Sequence, residues 1–270
     1  MSLSESEKKR LRNTYGNCAL ITGASSGIGL EMAERLAEAG FSLILNSRHI
    51  EELEKAKKLL EIKYNTVISL VPADVSTQEG INLILKAAAG ADVGLFIASA
   101  GFGTSGEFIK STIDNEQNML RVNCEGLLKL THHFARQFAT KKRGGIILMS
   151  SMVAFQGVPY AAHYAATKAY VQTFAEALAI ELKPYGVDVL AAAPGPVKSG
   201  FSSRANLKMD MAITPEQVGV PILKALGRKT TLLPGFLTKL LVYSLRTVPR
   251  WGKIRIMKMV MGGMTQHQRT

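Results

Sequence analysis

Short apolar runs alternate along the chain with longer stretches whose apolar residues recur at helical spacing. The apolar runs have the length of buried strands and occupy residues 18–22, 41–45, 66–71, 94–98, 145–149 and 187–193. Helical patterns lie between them, at residues 51–64, 78–89, about 114–140 and about 163–183. Strands that alternate with helices imply right-handed crossovers and a parallel sheet. The pattern therefore predicts an α/β fold, a single doubly wound parallel sheet with helices on both faces.

No linker, repeat or low-complexity tract interrupts this pattern before about residue 230. We therefore expect three segments: a polar N-terminal arm at residues 1–16, a single domain at residues 17–234, and a C-terminal extension at residues 235–270. With 270 residues, 47% of them hydrophobic and 20% charged, the chain is long enough for one large domain with its own core.

The positive charge is concentrated in the C-terminal fifth of the chain. Ten lysines and arginines but no acidic residue follow Glu216, which leaves only +2 of the net charge of +12 for residues 1–216. In the extension these cations are interleaved with apolar residues. Such a basic amphipathic segment suits helices packed on the domain or at a subunit contact, or a surface that meets anionic lipid or admits a lipid-like substrate. No aromatic stacking platform accompanies the charge, so we expect no nucleic-acid binding.

Cysteine and histidine content limits the compartment and the metal chemistry. Cys18 and Cys124 are the only cysteines and both fall in stretches predicted to be buried, so we expect no disulfide and a cytoplasmic setting, with peripheral membrane contact through the extension as an addition. His132, His133 and His163 have no further ligand at a metal-binding spacing, so no metal site is expected. The sequence shows no apolar signal region and no run that spans a bilayer.

A glycine-rich turn lies after the first predicted strand, at the start of a helix. The residues in it that we expect to contact a cofactor are Gly23, Ser25, Ser26, Gly27, Ile28 and Gly29. Glycines let the backbone approach a pyrophosphate, and the free N–H groups and positive dipole at a helix start stabilise its charge. A merely tight turn is the alternative, but the position between strand and helix favours dinucleotide binding.

Tyr164 and Lys168 are four residues apart in a predicted helix, so they lie on one face with the ammonium beside the phenol. A phenol titrates near pH 10, and its use at neutral pH needs a shift of about three units, or about 4 kcal/mol. A positive neighbour in a partly dry cleft can supply that shift. Ser151 follows a predicted buried strand and can reach the same cleft. The alternative is an ordinary amphipathic helix.

Three motifs together resemble the short-chain dehydrogenase/reductase family. They are the glycine turn from Thr22 to Gly29, the serine, tyrosine and lysine at positions 151, 164 and 168, and the sequence Pro194-Gly195-Pro196-Val197. The similarity in order and spacing extends over about residues 17–228. It implies a Rossmann-type fold and nicotinamide chemistry.

The resemblance implies a role for each catalytic candidate. Tyr164 would protonate a carbonyl oxygen during reduction, and Ser151 would hydrogen-bond that oxygen. Lys168 would hold the nicotinamide ribose and lower the pKa of the tyrosine. Asn123 matches the asparagine that positions a water in the family's proton relay; as an asparagine within a predicted helix it also needs a specific partner.

The end of the second strand favours the phosphorylated cofactor. The residues Asn46-Ser47-Arg48 include no carboxylate to bind a ribose 2′-hydroxyl. Arg48 can make a charge-assisted contact to a 2′-phosphate, and Ser47 adds a hydroxyl. A solvated surface arginine is the alternative. We therefore expect NADP(H) to be preferred over NAD(H).

Further cofactor contacts are implied by the resemblance alone. Asp74 and Val75 match the adenine contacts, although Asp74 also fits a helix-capping position beside Ser76. The nicotinamide carboxamide contacts are matched by Pro194, Gly195, Val197 and Ser199. The loop after the fourth strand departs from the family pattern, because Ala98-Ser99-Ala100-Gly101 replaces Asn-Asn-Ala-Gly. We expect Ser99, with Ala100 and Gly101, to replace the missing asparagine contacts.

These residues predict an NADPH-dependent oxidoreductase that reduces a ketone, or oxidises the matching alcohol, on a hydrophobic small-molecule substrate such as a 3-oxoacyl or steroid-like compound. Substrate apolarity is inferred from the extension and from Phe102, Phe201 and Met209 near the expected cleft. The alternative is a catalytically silent nicotinamide-binding regulatory protein of the same fold. We also expect a homodimer or homotetramer, formed through the long helices that carry Asn123 and Tyr164.

Overall fold

The computed structural model describes residues 2–208 and 212–268, and within them the strands form one seven-stranded parallel sheet. The strands are β1 (Cys18–Thr22), β2 (Ser42–Ser47), β3 (Ile68–Pro72), β4 (Val93–Ala98), β5 (Gly144–Met149), β6 (Val187–Ala192) and β7 (Thr231–Leu232). Their order is β3-β2-β1-β4-β5-β6-β7, so the direction of winding reverses between β1 and β4. The predicted doubly wound α/β fold is confirmed.

Helices cover both faces of the sheet. They are α1 (Glu5–Tyr15), α2 (Gly27–Glu38), α3 (Ile50–Tyr64), α4 (Gln78–Ala89), α5 (Ile113–Leu120), α6 (Leu127–Lys141), α7 (Ala162–Leu182), α8 (Gly200–Arg204), α9 (Glu216–Ala225), α10 (Phe236–Ser244) and α11 (Arg250–Met264). Side chains alternate along β1: Ala19 and Ile21 join a core with α2, α3 and α9, and Leu20 joins a core with α4, α6 and α7. Two buried faces explain why the central strands are continuously apolar.

The helix predicted over about residues 114–140 is not continuous. A π-helical segment, Arg121–Gly126, separates α5 from α6. It lies where the chain passes close to the loop after β3, since a Cβ on Gly126 would come within 2.2 Å of the Val75 carbonyl oxygen. Such segments interrupt the regular ladder and recur at functional sites, and this one carries Asn123.

Residues 1–16, for which the sequence predicts only a polar arm, contain a helix that packs on the domain. Leu11 and Tyr15 of α1 are fully buried. The Tyr15 hydroxyl donates to Asp188 at 2.8 Å, and the Arg10 guanidinium donates to the carbonyl oxygens of Leu223 and Leu226. The polar composition hides this packing because only one face of the helix is apolar. The segment boundaries themselves stay predictions.

The C-terminal residues form α10 and α11, which pack beside the end of β5. Val242 of α10 is buried against Ala193 and Leu233, while Met257 and Met261 of α11 are buried against Val158 and neighbouring apolar residues. Among the helices of the described residues, none combines the length and the apolarity that are needed to cross a membrane.

Candidate active site

The glycine turn has a backbone that only glycine adopts readily. Gly23 has φ +65° and Gly27 has φ +58°, and a Cβ on Gly23 would lie 2.8 Å from the Ala100 backbone. The turn opens α2, whose first turn contains no acidic residue and whose N-cap, Ser26, makes no side-chain capping bond. A helix start that is not capped by a side chain and that has no acidic residue in its own first turn suits a pyrophosphate, so these residues fit a dinucleotide.

The end of β2 holds the predicted cation and a carboxylate that sequence reasoning missed. Arg48 is exposed and Ser47 half-buried. Ser25, in the glycine turn, donates its hydroxyl hydrogen to Glu52 of α3 at 2.9 Å. Glu52 therefore brings a negative charge to the turn, where we expected none. The sequence shows an acidic residue in the first turn of the helix after β2, but its contact with Ser25 forms only when the chain folds.

The loops after β3 and β4 border the same cleft. Asp74 accepts a hydrogen bond from the Ser76 backbone N–H at 2.8 Å, so it does stabilise the turn before α4, and Val75 is buried. Ser99 lies against the glycine turn, its Oγ 3.2 Å from the position of a Cβ on Gly29. The loop is joined to β1 through the Ala100 N–H, which donates to the Thr22 hydroxyl.

Ser151, Tyr164 and Lys168 converge at the carboxyl end of β5. Ser151 begins a short 3₁₀ turn, where its hydroxyl accepts from the Val153 N–H, and it is near enough to Tyr164 to lower the pKa of that phenol. Lys168, 6% exposed, donates from Nζ to the Met149 carbonyl oxygen at 2.8 Å. Its Nζ lies 5.9 Å from the centroid of the Tyr164 ring. The three residues thus lie together, although the lysine is bonded to the strand rather than to the phenol.

Asn123 has several specific partners, as its position within a helical stretch requires. Its Oδ1 accepts from the Phe102 N–H at 3.0 Å, and its Nδ2 donates to the Phe102 carbonyl and to the Thr167 hydroxyl. Gly101 lies next to both Asn123 and Lys168, since a Cβ on it would lie 3.1 Å from Asn123 Oδ1 and 3.4 Å from Lys168 Nζ. Asn123 therefore fixes the loop after β4 against the helix that carries the tyrosine and the lysine.

Burial determines the protonation of the catalytic candidates. It raises the pKa of Tyr164 to about 12, against the lowering effect of the nearby Ser151 hydroxyl. It lowers the pKa of Lys168 to about 8. In this arrangement the predicted lowering of the tyrosine pKa by the lysine is not present. Both groups are neutral more readily than in water because the surrounding side chains exclude solvent.

Residues of α8 cover the site. The Phe201 ring lies 5.3 Å from the Tyr164 ring, centroid to centroid, and the Arg204 guanidinium lies 3.7 Å from the centroid of the Phe102 ring. Burial lowers the pKa of Arg204, and the charge of Arg48 lowers it further. Arg204 was not predicted from the sequence, where it is one of many basic residues.

The loop that leads into α8 is formed by the residues matched to the carboxamide contacts. The Pro194 carbonyl accepts from the Met152 N–H, and Val197 is buried. A Cβ on Gly195 would lie 2.5 Å from the Thr238 hydroxyl, and one on Gly27 would lie 3.1 Å from Ser199 Cβ. The loop therefore lies between α10 and the glycine turn. Met209, the third apolar residue expected near the cleft, lies outside the described residues.

A buried acid beside the tyrosine also went unpredicted. Glu116 is 4% exposed and lies 2.6 Å from His163 Nδ1, and it accepts from Ser111 and Thr104. Burial acts to raise the pKa of Glu116, but these hydrogen bonds hold it below its usual value. The pair ties α5 to the start of α7. Among the described residues no cluster of three or more histidine, cysteine or acidic side chains suits a metal ion.

Comparison with known proteins agrees with this architecture. The family model for short chain dehydrogenase matches residues 17–210. A 7beta-hydroxysteroid dehydrogenase of Clostridium sardiniense is 30% identical over 232 residues, which cover 84% of this chain and 89% of that protein. A very-long-chain 3-oxoacyl-CoA reductase of Podospora anserina is 36% identical over 181 residues, 64% of this chain and 53% of that protein.

Solved structures show the same similarity. A structure from work on the stereoselectivity of 7beta-hydroxysteroid dehydrogenase has a TM-score of 0.85 and 28% identity, with 92% of this chain and 98% of that chain covered. A short-chain dehydrogenase from Sphingobium yanoikuyae in complex with NADPH has a TM-score of 0.77 and 25% identity, with 92% and 95% covered. The likeness thus extends across the sheet and the residues at its carboxyl edge.

Proposed function

The chain belongs to the short-chain dehydrogenase/reductase family and is an oxidoreductase acting on CH–OH or C=O groups, and we propose that it reduces a ketone of a hydrophobic substrate with NADPH, or oxidises the matching alcohol. The observation that supports this most directly is the convergence of Ser151, Tyr164 and Lys168 beside a glycine turn suited to pyrophosphate. A bound nicotinamide nucleotide would supply the hydride. The protein's own residues would orient the carbonyl and supply the proton.

Each residue has a distinct task in this proposal. The Ser151 and Tyr164 hydroxyls both bind the substrate oxygen, and Tyr164 donates its proton as negative charge develops there. Lys168 provides the positive charge that favours a phenolate afterwards. Asn123 is a positioning residue whose amide fixes the backbone of Phe102.

The raised pKa of Tyr164 indicates what must change for turnover. Burial is its largest cause, and Phe201 covers the ring. When a substrate displaces Phe201, the phenol contacts a polar carbonyl instead of an aromatic ring. Its pKa then falls toward the range in which proton transfer is efficient.

The preference for NADPH rests on Arg48 at the end of β2. Its exposed guanidinium is available for a 2′-phosphate, while Glu52, bonded to Ser25, would repel one. We propose that the arginine outweighs the carboxylate because it can contact the phosphate directly, whereas Glu52 is held by the serine hydroxyl. The solved complex of the similar Sphingobium enzyme with NADPH supports the same cofactor here.

The substrate class is proposed from the names of the relatives and from the apolar covering of the site. Relatives include proteins named for a hydroxysteroid and for very-long-chain 3-oxoacyl-CoA. Phe102 and Phe201 border the cleft, and the inner faces of α10 and α11 add buried apolar side chains beside it. A substrate with a large apolar body would replace these contacts at little cost.

We further propose a homodimer or homotetramer in the cytoplasm. The helices that carry Asn123 and Tyr164 leave large apolar side chains exposed, among them Ile113, Leu128 and Ile180. Burying them between subunits would stabilise the assembly. The two cysteines are free and buried, which suits a reducing compartment.

The test is NADPH oxidation against a panel of steroid and 3-oxoacyl ketones, with the wild type beside Tyr164→Phe. We expect at least one substrate whose turnover falls by about 100-fold or more in the variant, the scale of general acid catalysis. If NADPH binds but the wild type turns over no substrate faster than the variant, the alternative of a catalytically silent nicotinamide-binding regulator is correct.

A further inference from the structure

The outer sides of α10 and α11 carry large apolar side chains that no part of the described protein covers. Phe236 and Met259 are 81% and 79% exposed, and Trp251 is 64% exposed. The neighbouring Leu240 and Tyr243 are each about half exposed. The inner sides are buried on the segment after β5, so these residues face away from the domain. We call the exposed residues of these two helices the docking face.

The docking face is cationic as well as apolar. Its basic residues, together with Arg246 in the turn between the two helices and the half-buried Lys253, are Lys239, Arg250, Arg255 and Lys258, all four of them exposed. None of these six side chains forms an ion pair within residues 2–208 and 212–268, whereas Lys63 and Lys141, for example, pair with carboxylates at 2.6 Å. No acidic residue occurs anywhere after Glu216. The positive charge is therefore available to an external anionic partner.

Two of the cations are stacked on exposed aromatic rings. Arg246 lies 4.6 Å from the ring centroid of Tyr243, and Arg255 lies 5.1 Å from that of Trp251. An exposed aromatic ring with a guanidinium on its face combines an apolar body with a charged tip. Such side chains are favoured at the level of lipid headgroups, where one part is buried and the other remains solvated.

We propose that the docking face binds the surface of an anionic lipid bilayer. Apolar side chains would enter the headgroup boundary while the surrounding cations neutralise lipid phosphates, the combination that gives peripheral helices stable attachment. A second copy of the chain is a poorer partner, because an isologous contact would bring two sets of six cations together with no carboxylate between them. Nucleic acid would match the charge but leave the apolar side chains in water.

The helix α11, which carries part of the docking face, packs beside the catalytic residues. Ile254 of α11 is 3.4 Å from the position of a Cβ on Gly157, and Met257 and Met261 are buried with Ala165, the residue after Tyr164. Attachment through the outer sides would place the cleft next to the bilayer. Delivery of a lipid-like substrate from the membrane then follows, and this last step alone rests on the proposed function.

Trp251 makes the proposal measurable, because it is the only tryptophan in the chain. Vesicles of one third phosphatidylglycerol and two thirds phosphatidylcholine should shift its fluorescence to the blue and should co-sediment the protein. Raising the ionic strength from about 0.05 to about 0.5 M shortens the Debye length and should release it. Pure phosphatidylcholine vesicles should bind it at least about 10-fold more weakly, since they lack net charge.

Variants separate the contribution of the positive charges to vesicle binding from that of the apolar side chains. Replacing Arg246, Arg250 and Lys258 by glutamine should reduce partition onto the anionic vesicles on the order of 100-fold, at about 5-fold for each charge. Trp251→Ser with Met259→Ser should weaken binding to both kinds of vesicle. The matched control changes exposed residues of α3, Lys55→Gln, Lys58→Gln and Ile62→Ser, and should bind as the wild type does.

The proposal is overturned if anionic vesicles neither shift the emission nor sediment the protein, or if the α3 control loses binding as much as the docking-face variants do. It is also overturned if Trp251→Ser dissociates a dimer or tetramer in sedimentation velocity while vesicles bind neither form. Tyr164→Phe should dock normally. Loss of turnover without loss of docking would therefore reject the proposed function alone.

Discussion

The buried ammonium of Lys168 predicts an unusual dependence of stability on pH. Its folded pKa of about 8 lies below the ordinary value of 10.5 because burial disfavours the charge. Below pH 8 the group is charged in both folded and unfolded protein, and the folded state bears a desolvation cost of about 3 kcal/mol. As the pH rises from 8 to 10.5 the folded protein releases this proton first. Its free energy of unfolding should then increase relative to a chain that lacks the amine.

The comparison is between the wild type and Lys168→Met, which keeps an unbranched side chain but carries no proton that titrates. The difference in their free energies of unfolding should move by about 2 kcal/mol in favour of the wild type between pH 7 and pH 9.5. Urea unfolding followed by circular dichroism at a series of pH values measures it. The lost hydrogen bond to the Met149 carbonyl adds an offset that does not depend on pH.

Tyr164→Phe is the internal control. The pKa of the tyrosine is about 12 in the folded protein and near 10 in the unfolded protein. The difference in free energy of unfolding between Tyr164→Phe and the wild type should therefore stay constant to within about 0.2 kcal/mol below pH 9.5. A Lys168→Met difference that is equally flat would refute the reasoning. It would show that the ammonium is solvated and that the site is open to water.

Two further predictions concern the cofactor and α8. Arg48→Ala should weaken NADPH binding by about 10- to 100-fold and leave NADH binding within about 2-fold, whereas Glu52→Gln should tighten NADPH binding. Titration calorimetry with both nucleotides measures these affinities. Equal losses for the two nucleotides in Arg48→Ala would contradict our assignment. Phe201→Ala should lower the pKa of Tyr164 from about 12, because burial is the main reason that it is raised. Absorbance titration of tyrosinate, with Tyr164→Phe as the background, detects the change in pKa. The control Phe201→Leu should keep most of the phenol covered. An unchanged titration midpoint in Phe201→Ala would show that another group buries the phenol.

The sheet was predictable because its strands are short, buried on both faces and separated by strong glycine and helix signals. β1 agrees residue for residue with the predicted run, and the turn before α2 has the positive φ angles that its glycines allow. The spacing of Ser151, Tyr164 and Lys168 is likewise local information, since a strand end and one helix face suffice to bring them together. The cofactor preference and the catalytic roles stay predictions.

The features that escaped prediction depend on contacts distant in sequence. The π-helical segment around Asn123 follows from the approach of Gly126 to the loop after β3, and no local pattern in an otherwise regular helical stretch reports that approach. Glu52 looked like an ordinary first-turn acid until its bond to Ser25 was seen. Arg204 stacks on a loop that is distant in sequence. The packing of the helix in residues 1–16 was concealed by its polar composition, since only one of its faces is apolar.

The packing of α1 also bears on the order in which the protein folds. Arg10 donates to a carbonyl 216 residues later in the chain, and Tyr15 to an acid 173 residues later. On a ribosome that adds about 5–20 residues per second, the first helix leaves the exit tunnel tens of seconds before these partners exist. Contacts of such separation carry a high entropy of loop closure. The first segment to be synthesised can pair early with neighbours such as Glu38, but it completes its native contacts only after the last third of the chain has been made.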